Sequence, residues 1–446
     1  MRPEDLDKLL VDKPEEGRFE VSRHLFNDAE LFELEMKYIF EASWVFLCHE
    51  SQIANSNDYF LTHIGRQPVM VTRDEQGEVN AFINACPHRG ATLCRTAKGN
   101  QKFVTCPYHG WVFDMAGKNV EVKDLGSGAY PDPFLQQSHD LAAVAKVASY
   151  KGFVFGSLSD AVPDLKEHLG QTMPFIDMLD GIGPDGIEVL RGHSTYVYAG
   201  NWKMQTENGI DGYHFTSVHM NYVGVLQRRL EEQHGKDAVK SGFDKNALNG
   251  ATGCYDLGGG HAMIWSTFPM PENRPLWQSR DEVTERMGPE RAEWMLTRQR
   301  NVLVYPNINL MEQASSQIRV WRPISHDLTE VKIYCIAPVG EAPEARQRRI
   351  RQYEDFFNAT GMATPDDLSE FEACQVGFTG YQVEWQQGYD RGLERIVHGP
   401  DEMAQTIGLQ PIASGPDIMD EILYHGQYRQ WHKLVGKGLT KDEQSG

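Results

Sequence analysis

No stretch of the chain approaches the roughly 20 consecutive apolar residues of a membrane span. Residues 1–17, MRPEDLDKLLVDKPEEG, are acidic and lack the apolar core of a secretory signal. Cysteine is scarce and scattered: Cys48, Cys86, Cys94, Cys106, Cys254, Cys335 and Cys374 make an odd set that excludes a disulfide framework. Positive charge is in deficit, with 43 Lys and Arg against 63 Asp and Glu and a formal net charge of −20. That balance argues against nucleic acid and anionic membrane as partners and, with the missing signal, points to the cytoplasm. A GxGxxG fingerprint is missing too, and the run GGGHAM at 258–263 is too loose to stand for one. Any nicotinamide chemistry must therefore reside in another protein.

What the chain does have is length and a clear change of texture. Its 446 residues, 40% hydrophobic and 24% charged, suffice for two domains with separate cores. In residues 27–42, NDAELFELEMKYIFEA, a cap candidate at Asn27 or Asp28 precedes Leu31, Leu34 and Ile39 at helical intervals. From Trp44 to about Ser157, apolar runs such as WVFLCHE, YFLTHIG, PVMVTRD, VNAFINAC and KGFVFGSL alternate with turn signals such as NSND and DEQGE, the pattern of antiparallel strands. Further on, STYVYAGNWKMQ, SSQIRVWRPI and TEVKIYCIAPVG read as strands, and EARQRRIRQYEDFFNATG as a helix ending at Gly361. The fold class is α+β: a helical N-terminal segment over 1–42, a small antiparallel β domain over 43–158 and a larger mixed domain over 159–446.

Two loops of the β domain carry chemistry. CPHRG begins at Cys86 and CPYHGW at Cys106, so Cys86 with His88 and Cys106 with His109 each offer one thiolate and one imidazole. Two sulfurs can hold one iron and two imidazole nitrogens another, which describes a Rieske-type [2Fe-2S] cluster. Imidazoles in place of thiolates lower the cluster's negative charge and raise its potential. The glycines admit backbone amides close to the sulfurs. A structural zinc site also takes two Cys and two His, but zinc sites usually pair like with like in each half. Cys94, between the loops, lacks a partner and reads as a small buried residue.

A second constellation lies in NWKMQTENGIDGYHFTSVHMNY, which contains Asp211, His214 and His219. On an ideal helix two histidines five apart point about 140° away from each other. A shared metal therefore needs a π-type bulge or a helix that ends between them. Alone, such histidines read as packed residues. The upstream cluster changes that, because a Rieske centre moves single electrons and needs an acceptor. Two histidines and a carboxylate on one face of a ferrous ion leave positions open for O2. Asp211 is one carboxylate; Thr364-Pro365-Asp366-Asp367-Leu368 offers two more, although Thr364 as cap, Pro365 in the first turn and acids on the helix dipole account for that stretch as well.

The chain resembles the large (α) subunits of aromatic-ring-hydroxylating Rieske non-haem iron oxygenases over nearly its whole length. It is most similar to the benzoate, toluate and anthranilate dioxygenases through LFELEMKYIFEASWVFL, HESQIANSNDYF, IGRQPV, INACPHRGATLCR, GNWKMQTENGIDGYHFTSVH and RIRQYEDFFNATGMATPDDL. The resemblance implies a Rieske domain followed by a catalytic domain built on a helix-flanked antiparallel sheet. It also implies His214, His219 and Asp367 as ligands of a mononuclear Fe(II). The implied assembly is a trimer of α subunits, usually alternating with a small β subunit as α3β3. In it the cluster of one subunit serves the iron of the next, and Asp211 bridges the neighbour's cluster ligand His109 and His214. Pro87 stands where a polar residue is expected and leaves the ligands intact.

The implied activity is that of a terminal oxygenase. O2 and electrons from NADH, passed on by a separate FAD-containing reductase or a ferredoxin, cis-dihydroxylate an aromatic carboxylate such as benzoate, toluate or anthranilate. Such an acid needs a cation or donors in an otherwise apolar pocket. Arg319, inside SSQIRVWRPI, is the candidate and Arg322 the second choice, though the strand pattern favours an ion pair at a sheet surface. Met204, Ile210 and Val218 are candidate pocket walls that core packing explains equally well. Two rivals keep the same motifs: a Rieske monooxygenase acting on an acid such as salicylate, and an electron carrier without an oxygenase site. Metal content separates the carrier, about two irons per chain against about three.

Overall fold

The computed structural model describes residues 1–235, 251–268, 270–313 and 315–445. They divide into two compact units, Phe40–Leu165 and Met1–Ile39 with Lys166–Gly446. The β unit thus starts at Phe40 and runs to Leu165, wider than 43–158 at both ends. Among the described residues no helix is long and apolar enough to cross a membrane.

The β unit is antiparallel throughout. Val79–Ile83, Gln67–Arg73, Asp58–Ile64 and Lys98–Asn100 form one sheet in that order, and Lys146–Tyr150, Phe153–Ser157 and Val45–His49 a second. A third, of Asn119–Glu121, Val112–Asp114 and Phe103–Thr105, supports the second Cys/His loop. Tyr59, Met70, Phe82, Trp111, Phe113 and Leu141 share one core with Cys86, Cys94 and Cys106, so both ligand loops are rooted in packed apolar side chains.

Residues 1–42 are not helical throughout. Leu10–Lys13 and Arg18–Ser22 pair as an antiparallel hairpin around Gly17 before any long helix starts. The helix Ala29–Glu35 follows, capped by Asp28, whose carboxylate accepts from Glu30 N and Leu31 N. It passes into a single π turn, Met36–Phe40. Buried Glu35 accepts from the indole N–H groups of Trp202 and Trp431, each at 2.7 Å, and pairs with Lys203.

The larger unit is organised by one large antiparallel sheet. Leu328–Pro338 pairs with Ile187–Val189 and then Ser194–Tyr198 along one side, and with Ser316–Ser325 along the other; Ile308–Glu312, Arg298–Val304, His261–Thr267, Thr252–Gly258, Ala413–Gly415 and Val397–His398 complete it. The Gly258–Gly260 run is a hairpin turn between two of these strands. STYVYAGNWKMQ is a strand only to Tyr198. Asn201 then accepts from Lys203 N and starts the helix Trp202–Asn208, so local capping overrides the β pattern. The helix Pro343–Phe356 stops before Gly361, and Thr364–Gly377 follows. Its cap position is Ala363 rather than Thr364, whose hydroxyl donates to Phe357 O at 3.0 Å. Trp202–Asn208 and Pro343–Phe356 pack on the strand Ser316–Ser325, and Thr364–Gly377 packs on Ser194–Tyr198.

Candidate metal centres

The two Cys/His loops share a backbone frame. Cys86 N donates to Ala91 O at 2.9 Å and Gly90 N to Cys86 O at 2.8 Å; Cys106 N donates to Trp111 O at 2.7 Å and Gly110 N to Cys106 O at 3.0 Å. Gly90 and Gly110 close the turns at φ of 74° and 76°, a region that side chains disfavour. The frame directs both thiols inward, where they are buried and close enough to interact, and leaves His88 exposed. The two imidazole rings lie 4.4 Å apart, with His88 stacked on Trp111 at 5.0 Å. Partial desolvation at the loop surface and the neighbouring His109 lower the His88 imidazole, which favours the neutral, ligating form. His109 Nδ1 is buried without a partner among the described residues, as a donor awaiting a metal would be. Both the donor set and this orphaned nitrogen fit the [2Fe-2S] group.

The second site is tighter. The helix Trp202–Asn208 ends at Gly209, and His214 stands at the head of the one-turn helix Phe215–Val218. His219 forms the junction to Met220–His234 with φ −99° and ψ 18°, so the helix breaks at the second histidine. This break turns both rings to one point. His214 Nε2 and His219 Nε2 are 3.1 Å apart, and Asp367 Oδ1 lies 3.5 and 3.2 Å from them. Among the described residues this is the set that brings three donors within 4.8 Å of one another. Donors about 2.1 Å from one ion stand roughly 3 Å apart on a shared face, so the three atoms fit a single metal. Two bare ring nitrogens and a carboxylate oxygen this close repel one another unless a cation lies between them.

Asp211 takes the other side of His214. Its Oδ2 is 3.0 Å from Nδ1, while Oδ1 accepts from Tyr213 N at 2.6 Å. Burial opposes a charged His214 ring, but the Asp211 carboxylate prevails and leaves the imidazole above its ordinary value. The sequence pattern missed Asn208, whose Nδ2 donates to Asp367 Oδ1 at 3.2 Å and lies 3.4 Å from His214 Nε2. Its only sequence cue was its place at the last turn of a capped helix, just before Gly209.

Beyond the three donors lies an apolar cluster of Met311, Phe356, Phe357 and Ala363, joined by Phe215 and Tyr222. Phe356 and Phe215 each stand 5.8 Å from the His219 ring. Met204 and Ile210 are buried and Val218 half-buried, but none belongs to this cluster; Met204 lies against Gly200 instead. Arg319 does not make the surface ion pair that the strand pattern favours. It is 2% exposed, its Nε and Nη2 find no partner among the described residues, and its guanidinium stands 5.5 Å from the Phe357 ring. Helices cover this face of the sheet, so no surface ion pair can form. Arg322, on the opposite face, makes that kind of pair, 3.7 Å from Glu330.

A pair of Cys/His loops in one unit and a two-histidine, one-carboxylate triad in the other define an oxygenase of the Rieske non-haem iron class. The Rieske [2Fe-2S] domain family matches residues 43–145, and the ring hydroxylating alpha subunit (catalytic domain) family matches 188–429. The chain is 48% identical over 439 residues to the toluate 1,2-dioxygenase subunit alpha of Pseudomonas putida, covering 98% of this chain and 96% of that one. It is 43% identical to the anthranilate 1,2-dioxygenase large subunit of Acinetobacter baylyi, covering 96% and 92%. A crystallographic naphthalene 1,2-dioxygenase with indole bound matches with a TM-score of 0.80 at 25% identity, over 98% and 95% of the two chains. This chain belongs to the ring-hydroxylating oxygenase α subunits, oxidoreductases that carry a Rieske cluster and a mononuclear iron.

Proposed function

We propose that this chain is the α subunit of a terminal oxygenase that cis-dihydroxylates an aromatic carboxylate of the benzoate, toluate or anthranilate kind. Arg319 carries the substrate reading: a buried guanidinium without a carboxylate partner among the described residues, beside the apolar cluster that reaches His219. An isolated buried charge is strongly unfavourable, so an anionic ligand is the natural group to complete it. The arginine fork can receive both oxygens of a carboxylate. Met311, Phe356, Phe357 and Ala363 then offer the ring an apolar wall that excludes water. Toluate and anthranilate, in the relatives' names, are both aromatic carboxylates.

In this reading Cys86 and Cys106 hold one iron of the cluster, His88 and His109 the other, and His214, His219 and Asp367 hold the mononuclear iron. That iron, when bound, supplies O2 activation and a template for the ring. Asp211 steadies His214 from its Nδ1 edge and Asn208 steadies Asp367, so the donors keep to one face and leave the other to substrate and O2. Both oxygen atoms enter the ring, and two electrons and two protons balance the product. NADH and FAD belong to a separate reductase or ferredoxin system, since the chain has no dinucleotide fingerprint. The partly exposed Asp211 and His109 suit a relay from one α subunit to the next, in an α3 trimer or an α3β3 hexamer in the cytoplasm.

The test is product analysis. Reduced holoenzyme with O2 and a panel of benzoate, anthranilate, toluates and salicylate should give cis-1,2-dihydrodiols from benzoate and toluates and catechol from anthranilate. Oxygen uptake without product from every acid, or a singly hydroxylated salicylate alone, overturns the assignment.

A further inference from the structure

A planar acid held by one guanidinium can still pivot and bring different ring carbons to the iron ligands. Selecting among them takes a second contact. The sheet register supplies a candidate. Arg319 lies opposite Ile333, and Ile333 opposite Ser194, so Arg319, Ser194 and, by two-residue alternation, Tyr196 project from one face. Their strands flank Leu328–Pro338 and stand about 10 Å apart, within the joint reach of an arginine and a tyrosine. The strand that carries Tyr196 also packs against Thr364–Gly377, the helix of Asp367.

Three tyrosines crowd this region, and two are spoken for. Tyr198 donates to Asn201 O and Tyr353 to Ile333 O, each at 3.0 Å. The Tyr196 hydroxyl is buried and has no partner among the described residues. Burial raises it to about 12, so it stays a proton donor, and it feels both the Arg319 cation and the Asp367 carboxylate. Asn309, directly opposite Arg319, also has an amide unpartnered among the described residues. Its Nδ2, however, lies against Gly209, only 1.9 Å from where a Cβ would stand, so it braces the helix end.

We propose that Tyr196 orients the substrate: its hydroxyl donates to a carboxylate oxygen held by Arg319 and fixes the ring with its ipso and ortho carbons toward His214, His219 and Asp367. This rests on the carboxylate reading of Arg319 and adds the choice of ring position to it.

Tyr196→Phe removes a single oxygen atom. Holoenzyme carrying it should keep wild-type iron content and cluster absorption. By titration calorimetry, benzoate should bind about tenfold more weakly, as for a lost hydrogen bond to a charged group. From m-toluate, dihydrodiols at carbons remote from the carboxylate should appear beside the 1,2 product. Arg319→Leu, run in parallel, should abolish benzoate binding. Unchanged affinity and a single product in Tyr196→Phe, with binding lost in Arg319→Leu, overturns the role of Tyr196 and leaves the carboxylate reading standing. Unchanged binding in both variants overturns both.

Discussion

In the β unit all four soft and borderline donors lie between Cys86 and His109, and each pair is framed by the backbone of its own loop. In the catalytic unit two donors come from a broken helix and the third, Asp367, from the start of another helix far along the chain. The first site needs only a well-packed loop pair. The second exists only once the large sheet and the helices on it have assembled, because closing so long a loop has to be offset by packing elsewhere. A local site is sensitive to backbone changes within its loops; an assembled site is sensitive to any of its contributing elements.

The sharpest way to separate them is Asp367→Ala. About one of three irons per chain should be lost and turnover should vanish, while the cluster's visible absorption persists; iron analysis and absorption spectra check this together. If the cluster bleaches as well, the two sites are not independent. Asp211→Ala tests the link between them. Both metal contents should remain, and turnover should fall about 100-fold, the upper range for loss of a group that orients a ligand. Normal turnover in that variant would remove Asp211 from the relay.

Gly90→Ala probes the local frame alone. Nothing lies within 4 Å of the added Cβ, so the penalty is the backbone strain of φ 74°, about 1–2 kcal/mol. Thermal loss of the cluster should come earlier, with iron binding at His214, His219 and Asp367 unchanged. The last effect is a pH dependence confined to the catalytic unit. Burial raises the Glu207 carboxyl to about 7, against hydrogen bonds from Tyr428 and Tyr389 that pull it down. The folded state then holds more protons than the unfolded chain between the ordinary 4.5 and about 7, so this group's contribution to stability falls as pH rises through that window. Glu207→Gln should flatten the fall in melting temperature there; an unaltered slope would refute the assignment.

The same contrast explains what was legible in the sequence. The strands of the β unit and its four candidate ligands follow from alternation and short spacing, since each depends on neighbours only a few residues away. His214 and His219 could be named, and so could the need for a bulge or a helix end between them; that the helix ends at His219 is set by tertiary packing. Between Asp366 and Asp367 the pattern left the choice open; helix rotation buries Asp367 and leaves Asp366 half-exposed. The burial of Arg319 was not legible for a related reason. Alternation tells which residues share a face, and helices arriving from distant segments decide whether that face meets water. Asn208 and Tyr196 carry no motif at all, and only their unusual partners, or lack of them, single them out.

Glu35 has a consequence for the order in which the chain is made. It lies ahead of the β unit, yet the indoles it accepts from belong to Trp202, beyond that unit, and Trp431, in the final helix Tyr424–Ser445. During synthesis the β unit is complete once Leu165 has emerged and can fold with its cluster loops in place. Glu35 must wait, its set of partners incomplete, until Trp431 leaves the ribosome. Chains truncated before Tyr424 should therefore show a protease-resistant fragment of the β unit and none of the other. Nascent oxygenase would be able to store electrons before it could spend them on oxygen.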